Sequence, residues 1–439
     1  MSPDAMLTHF VGAAAVVIVV AHGAGRLARW LRQPVIVGQL VAGIALGPTL
    51  LGAVAPAAAR QLFPSEIEPM LNALSQLALI VFLFAVGYEL DLSILKQRAR
   101  TVVTVSLAAF LVPMATGTGA ALLFRDELTR LGAPAGMPVS AVLFLGVALS
   151  ITAVPVLTAI VRENGLAGTL PGVIAVSAAG LIDVMGWTVL VGALLDAGGH
   201  GGEPRGALQL VLGLLYAAVM LLGARPLLRR LLWGRHLDAS YRLAVLVGFA
   251  CASAWATSAL GLHVIFGALL AGVVVPREAD GTLDAELVRP LNDVSGLLLP
   301  FFFVISGSRV SVGSLNEAGL VALVVATSLA VLAKVGSGLG AARLCGVGRD
   351  DARTIGVLLS ARGLTELIAL NAGLQAGLIT GRLYAVFVLM ALVTTVATQP
   401  LLALVRWLAG RTRPPARDGG YGDSPDRAGP VTAPSPGSG

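Results

Sequence analysis

The sequence predicts an all-α polytopic membrane protein with about thirteen transmembrane helices, and three observations carry that reading. The chain is 56% hydrophobic and only 12% charged, with a mean hydropathy of +0.87, far from the composition of a soluble domain. Apolar runs of about 15–25 residues, long enough for a helix to cross the hydrocarbon core, recur along almost the whole chain. The basic residues alternate between successive connections, as a threaded membrane topology requires.

In order, the runs fall near 8–25, 34–51, 70–88, 101–124, 138–161, 171–195, 207–224, 243–260, 262–276, 291–308, 319–342, 354–375 and 383–405. The first is not followed by an A-x-A-like cleavage site, and further spans succeed it, so it reads as span one and not as a removed signal. The eighth and ninth nearly merge at Gly261. Lys and Arg counted in alternate connections number 22 on one side and 6 on the other, with Lys334 and Arg362 left inside spans. The positive-inside rule then puts the N-terminus outside and the C-terminus in the cytoplasm of a cell inner (plasma) membrane. Residues 1–408 read as one transmembrane domain. Residues 409–439, rich in Pro, Gly, Ser and charge, read as a disordered cytoplasmic tail.

These features exclude several classes. A net charge of +6 invites a nucleic-acid partner, but the basic residues are a topological bias and not a patch. Cys251 and Cys345 lie in or next to separate spans with no metal or disulfide spacing. No cofactor is expected. There is no H-E-x-x-H and no G-x-S-x-G with partners, so an intramembrane enzyme is not expected. No soluble domain of useful size is visible, hence no nucleotide-binding regulatory module.

Charge inside the spans is where function is expected. Asp183 sits mid-run in span six, "SAAGLIDVMGW", with no other charge between Pro171 and Leu195. A carboxylate at that depth costs roughly 2.5–3.5 kcal/mol and usually marks an ion pathway. Its titration is set by its surroundings, as exchange of a proton for a cation requires. The ordinary reading is a carboxylate neutralised for packing. Lys334, one of only two lysines, is centred in the run from Gly319 to Leu344 and is a candidate charge partner for Asp183. It lies too deep for easy snorkelling. A structural counter-charge and a proton carrier are equally compatible with its position.

Two spans show break signals. In span five, "LSITAVPVLTAI", Pro155 removes a helical hydrogen bond, and the hydroxyls of Ser150 and Thr152 stand just before it. Such breaks survive at membrane depth only where protein or water satisfies the freed backbone, and many transporters bind cations there. A plain proline kink is the alternative. In span twelve, "LLSARGLTELIALNAG", Arg362 and Glu366 are four apart and share a helix face, while Gly363 permits irregular backbone. They read at least as readily as a structural ion pair as an ion-handling one. His263 reads as interfacial, and Glu89 with Asp91 as a solvated cap on span three. Spans five and twelve are seven apart, an odd offset, as in inverted-topology repeats. Span four would then match span eleven, and span six span thirteen.

"VGQLVAGIALGP" (37–48), "LALIVFLFAVGYELDL" (77–92), "SITAVPVL" (150–157), "IDVMGW" (182–187), "HVIFGALLAGVVVPRE" (263–278), "LLLPFFFVISGSRV" (297–310), "ARGLTELIALNAG" (361–373) and "VLMALVTTVATQPLL" (388–402) occur in this order. Together they resemble the cation:proton antiporter-2 family, in the branch of plant cation/H+ exchangers and their bacterial relatives. The resemblance implies an inverted-repeat Na+/H+ antiporter-like fold with two crossing discontinuous helices, spans five and twelve. It also implies a homodimer in which a core moves against a dimerisation domain. It assigns ion binding to Asp183, the unwound threonine to Thr152, and the intramembrane lysine to Lys334. Ile182 departs from relatives that carry an acid, Asn or Gln at that position. That departure removes the lysine's partner in two-acid members and leaves Lys334 either paired with Asp183 or without its usual partner. One carboxylate exchanging one monovalent cation for H+ predicts electroneutral exchange if Lys334 stays charged. The rival readings are a K+ efflux pathway, and export of an organic or ionophore-bound cation on the same scaffold, which the apolar Ile182 would favour.

Overall fold

A computed structural model describes residues 1–89, 95–198, 205–232, 238–260, 264–276 and 283–412. Helices account for nearly all of them, and no strand occurs among the described residues. In chain order the principal helices are α1 (Pro3–Trp30), α2 (Val35–Leu46), α3 (Glu68–Glu89), α4 (Leu95–Leu123), α5 (Val139–Ser150), α6 (Val154–Glu163), α7 (Leu170–Gly198) and α8 (Arg205–Val219). They continue with α9 (Ala239–Ala259), α10 (Val264–Val274), α11 (Ala285–Ser308), α12 (Glu317–Leu344), α13 (Arg349–Leu359), α14 (Leu364–Gln375) and α15 (Gly381–Thr412).

Every apolar run coincides with a helix or, for the fifth and twelfth, with a pair of half-helices. Ten described helices are long and apolar enough to cross a membrane. The 11-residue α10 and the half-helices fall short individually. Local chemistry sets several ends. The Asn316 side chain accepts the Gly319 N–H at 3.0 Å to start α12, and Asp284 accepts the Glu286 N–H at 2.9 Å to start α11; both satisfy donors that a helix start leaves free. His263, Gly261, Asp91 and the tail from residue 413 onward lie outside the described residues.

The helices form two groups. A panel contains α1, α2, α3, α9, α10 and α11, and a core contains α4 to α7 and α12 to α15. The packing repeats after a shift of seven spans. In the core, α4 on α5 recurs as α12 on α13, α5 on α7 as α13 on α15, and α4 on α7 as α12 on α15. In the panel, α1 on α2 recurs as α9 on α10, and α3 on α10 as α11 on α2. The offset read from the two break signals is therefore an architectural repeat.

Glycine makes the tightest panel seam possible. A Cβ at Gly87 would sit 2.2 Å from the Leu269 carbonyl oxygen, and one at Gly272 would sit 2.1 Å from that of Phe84. Backbones of α3 and α10 thus touch directly, as small residues allow in membranes. Large apolar side chains such as Val19, Leu222, Trp255 and Leu332 remain exposed, which suits a surface facing lipid.

Candidate functional site

The two interrupted spans cross at their interruptions. Helix α5 ends at Ser150 and α6 begins at Val154, leaving 151–153 unwound; α13 ends at Leu359 and α14 begins at Leu364. The Ala153 N–H donates to the Ala361 carbonyl at 3.3 Å, and the Thr152 hydroxyl donates to the Leu359 carbonyl at 3.2 Å. Each break thus satisfies part of the other, as irregular backbone away from water must be satisfied. Pro155 falls in the first turn of α6, where a missing N–H costs nothing. The break lies just before it. Gly363 takes φ +151° and ψ −117°, a region open essentially to glycine.

The charges gather around this crossing. The Arg362 guanidinium donates to the Ala148 carbonyl at 2.7 Å and to Leu149 O, the last carbonyls of α5, and to Glu366 Oε1 at 3.0 Å. Both side chains are buried. The expected pair therefore forms, and it does more than neutralise itself: its cation clamps the open C-terminal end of the other broken span, where positive charge is favoured. Glu366 stands in the first turn of α14, where negative charge is favoured.

Lys334 is held by backbone carbonyls. It makes no ion pair with Asp183. Its ammonium donates to Ala109 O of α4 at 2.9 Å and to Ser150 O at the end of α5. An ammonium has three donors. One goes to the Ser150 carbonyl that the break leaves open, and one to Ala109 O, which Pro113, four residues on and without an N–H, leaves free in α4. The two charges still act on each other through space. The Ser150 hydroxyl donates to Phe110 O at 2.6 Å, so the hydroxyls of Ser150 and Thr152 are both hydrogen-bonded to backbone carbonyls. Each oxygen retains lone pairs that can accept.

Asp183 is the group left over. It is 6% exposed, and its Oδ1 is buried without a hydrogen-bond partner. Gly186, one turn further along α7, packs on Ile151 of the first break, so Asp183 lies on the helix face turned toward the crossing. Ile182 is fully buried in an apolar cluster with Ala153, Val156 and Ala361. Two more buried oxygens without partners, Thr365 Oγ1 and Glu366 Oε2, flank the second break. Buried polar atoms are nearly always satisfied; these three are among eight unpartnered side-chain atoms in the described residues.

Thr395 is the residue the sequence did not single out. Its hydroxyl accepts the Arg362 N–H at 3.2 Å and donates to the Arg362 carbonyl at 2.7 Å. A threonine in an apolar run carries no signal of this kind, because only the fold brings α15 alongside the break. Glu89, expected as a solvated cap, is exposed and accepts from Asn292 at 3.1 Å.

Comparison with known proteins agrees with this fold. Residues 15–404 match the transmembrane sodium/hydrogen exchanger family. The chain is 34% identical over 398 residues to the Na(+)/H(+) antiporter NhaS4 of Synechocystis, covering 89% of this chain and 95% of the relative. It is 35% identical over 388 residues to Cation/H(+) antiporter 17 of Arabidopsis thaliana, covering 86% of this chain and 46% of the relative. It is 31% identical over 384 residues to K(+)/H(+) antiporter 1 of Saccharomyces cerevisiae, covering 85% and 44%. The chain thus spans nearly all of the cyanobacterial relative and about half the length of the plant and yeast ones. The solved structure of the sodium proton antiporter MjNhaP1 from Methanocaldococcus jannaschii superposes with a TM-score of 0.63 at 16% identity, covering 92% of this chain and 98% of that one; the fold is shared. With residues 15–404 matched and the two halves packed alike, this chain belongs to the sodium/hydrogen exchanger family.

Proposed function

We propose that this chain is a secondary antiporter, exchanging a monovalent cation, Na+ or K+, for H+ across the membrane by alternating access. The observation that carries the reading is Asp183, a buried carboxylate with an oxygen left unpartnered beside two crossed helix breaks. H+ and the cation compete for that carboxylate. Occupied by either, the site is neutral and the core can pass the apolar barrier; empty, it is a bare charge whose transfer is costly. Ser150 and Thr152 supply hydroxyl and backbone oxygens from the first break. Lys334 and the Arg362–Glu366 pair stay charged and compensate the open helix ends. One carboxylate serving one cation and one proton makes the exchange electroneutral. The relatives are named as Na+/H+, cation/H+ and K+/H+ antiporters, which supports the substrate class.

The bias of basic residues supports a multi-pass protein of the cell inner membrane with its N-terminus outside and its C-terminus, including residues 409–439, in the cytoplasm. The family resemblance supports a homodimer. The test is dissipation of a pH gradient in proteoliposomes on adding Na+, K+, Li+ or Rb+, with Asp183→Asn alongside. Cation-evoked dissipation absent from the mutant is expected and identifies the ion. Cation-dependent proton flux that persists in the mutant would sink the assignment of Asp183.

A further inference from the structure

The panel and the core meet along a largely apolar seam, and polar contacts across it are distributed unevenly between the two ends of the bundle. At the end carrying the starts of α3 and α15, Arg309 at the close of α11 donates to Asn72 Oδ1 of α3 at 2.9 Å and to Asn371 Oδ1 of α14 at 2.9 Å. The Asn371 amide nitrogen donates to Ser306 Oγ at 3.0 Å and lies 3.2 Å from the Tyr384 hydroxyl of α15. The Tyr384 hydroxyl donates to Ser306 O at 3.0 Å. Asn371, Tyr384 and Ser306 are all buried. Arg309, Asn72 and Ser306 belong to the panel; Asn371 and Tyr384 belong to the core. At the opposite end, the seam bond formed among the described residues is Gln33 Nε2 to Val396 O at 3.5 Å, and it is exposed.

The panel's other strong polar contact makes the comparison sharper. Arg242 of α9 holds Asp284 at 2.6 Å and Glu286 at 2.7 Å beside α11, but all three residues are panel residues, so that pair need not break when the core moves. Arg309 is different. Its two arms are shared between a panel amide and a core amide, so one cation stitches the two groups together.

We propose that Arg309, Asn371, Tyr384 and Ser306 form an outer latch that holds this end of the seam shut and must open on each transport cycle. The inference rests on the alternating-access reading given above. The orientation set by basic residues puts this end outside, so the latched structure is the one open toward the cytoplasm. Arg309 also walls an outward-facing cavity of about 390 Å³ with Arg60 and Glu68, which puts water near the latch and gives its groups replacement partners on opening. A buried asparagine that satisfies its amide across the seam is a discrete two-state contact, made or broken, and not a graded one. Bonds exchanged for water cost little net, so the latch biases the two states without trapping either.

The test uses the full chain with Cys251 and Cys345 replaced by serine and a reporter at Gln76→Cys, one turn below Asn72 on the same face of α3. A membrane-impermeant maleimide is added from outside, with and without Asn371→Leu. Removing the latch amide should speed labelling about tenfold, the change that one decade of population shift produces. Equal labelling rates in both backgrounds would overturn the proposal. Because Asn371→Leu could perturb folding, a second measurement joins Ser306→Cys to Asn371→Cys with a short reducible thiol crosslinker. Exchange should be lost on crosslinking and return on reduction; full exchange by the crosslinked protein would equally overturn the latch. Neither readout requires Asp183 to be the ion site: labelling of an Asp183→Asn chain reports the latch even if the ion assignment fails.

Discussion

Arg362 holds the carbonyl of Ala148 at 2.7 Å from the far side of the crossing, so a cation on one broken span closes the open end of the other. Its planar fork serves Ala148, Leu149 and Glu366 together. Lysine cannot reproduce that geometry. Arg362→Gln should therefore lose about 3–5 kcal/mol, the cost of stranding one partner of a buried pair, read as a lowered midpoint in thermal unfolding of detergent-solubilised protein. Arg362→Lys should fall between wild type and Arg362→Gln.

Asp183 and Lys334 should separate cleanly in stability. Lys334 has two backbone partners, and Lys334→Met strands both carbonyls at about 1–3 kcal/mol each. Asp183 has an unpartnered oxygen, so Asp183→Asn removes a desolvated charge without breaking a bond. Its thermal midpoint should be equal to or above that of wild type while exchange is lost. A destabilised Asp183→Asn protein would mean that the carboxylate is a structural ligand.

Gly363→Ala should damage the crossing twice. Its φ of +151° excludes a side chain, and a Cβ there would sit 2.8 Å from Val156 Cγ2. A forced residue in this region costs on the order of 1–3 kcal/mol, and displacement of α14 should also depress exchange. Gly377, with φ +71° and open space at its Cβ, is the control: strain without a clash, far from the crossing, with exchange retained.

Thr395→Val keeps the shape of the side chain and removes the hydroxyl that serves both the N–H and the carbonyl of Arg362. We expect a loss of about 1–3 kcal/mol for the stranded backbone groups, and exchange lowered more than that of Thr394→Val. Thr394 bonds only within its own helix, to Met390 and Ala391. Equal effects of the two substitutions on exchange would show that Thr395 does not position the break.

The scaffold was legible because hydropathy acts locally: each apolar run of membrane length is a helix or a broken pair. The breaks were legible from Pro155 and Gly363, residues whose backbone chemistry is their own. Partnerships were not. Lys334 reads as a candidate partner for Asp183 because opposite charges attract, and nothing in the sequence shows that its ammonium also meets the Ala109 carbonyl of α4 and the Ser150 carbonyl at the end of α5. Sequence does not display a carbonyl. Arg309 carries no signal in the sequence, since Asn72, Ser306, Asn371 and Tyr384 are ordinary residues until four helices converge.

The seven-span repeat gives the site its frame twice over, yet the two copies are furnished differently. Beside the first break stands Asp183, with an oxygen that no protein group engages; beside the second stands Thr395, bonded into the backbone it faces. One half places a carboxylate where the other places a hydroxyl already bonded to backbone. Inverted repeats are related by a two-fold axis in the membrane plane, so the frame itself treats the two sides of the membrane alike. On the function proposed above, the duplicate halves divide the labour, one as berth and the other as anchor.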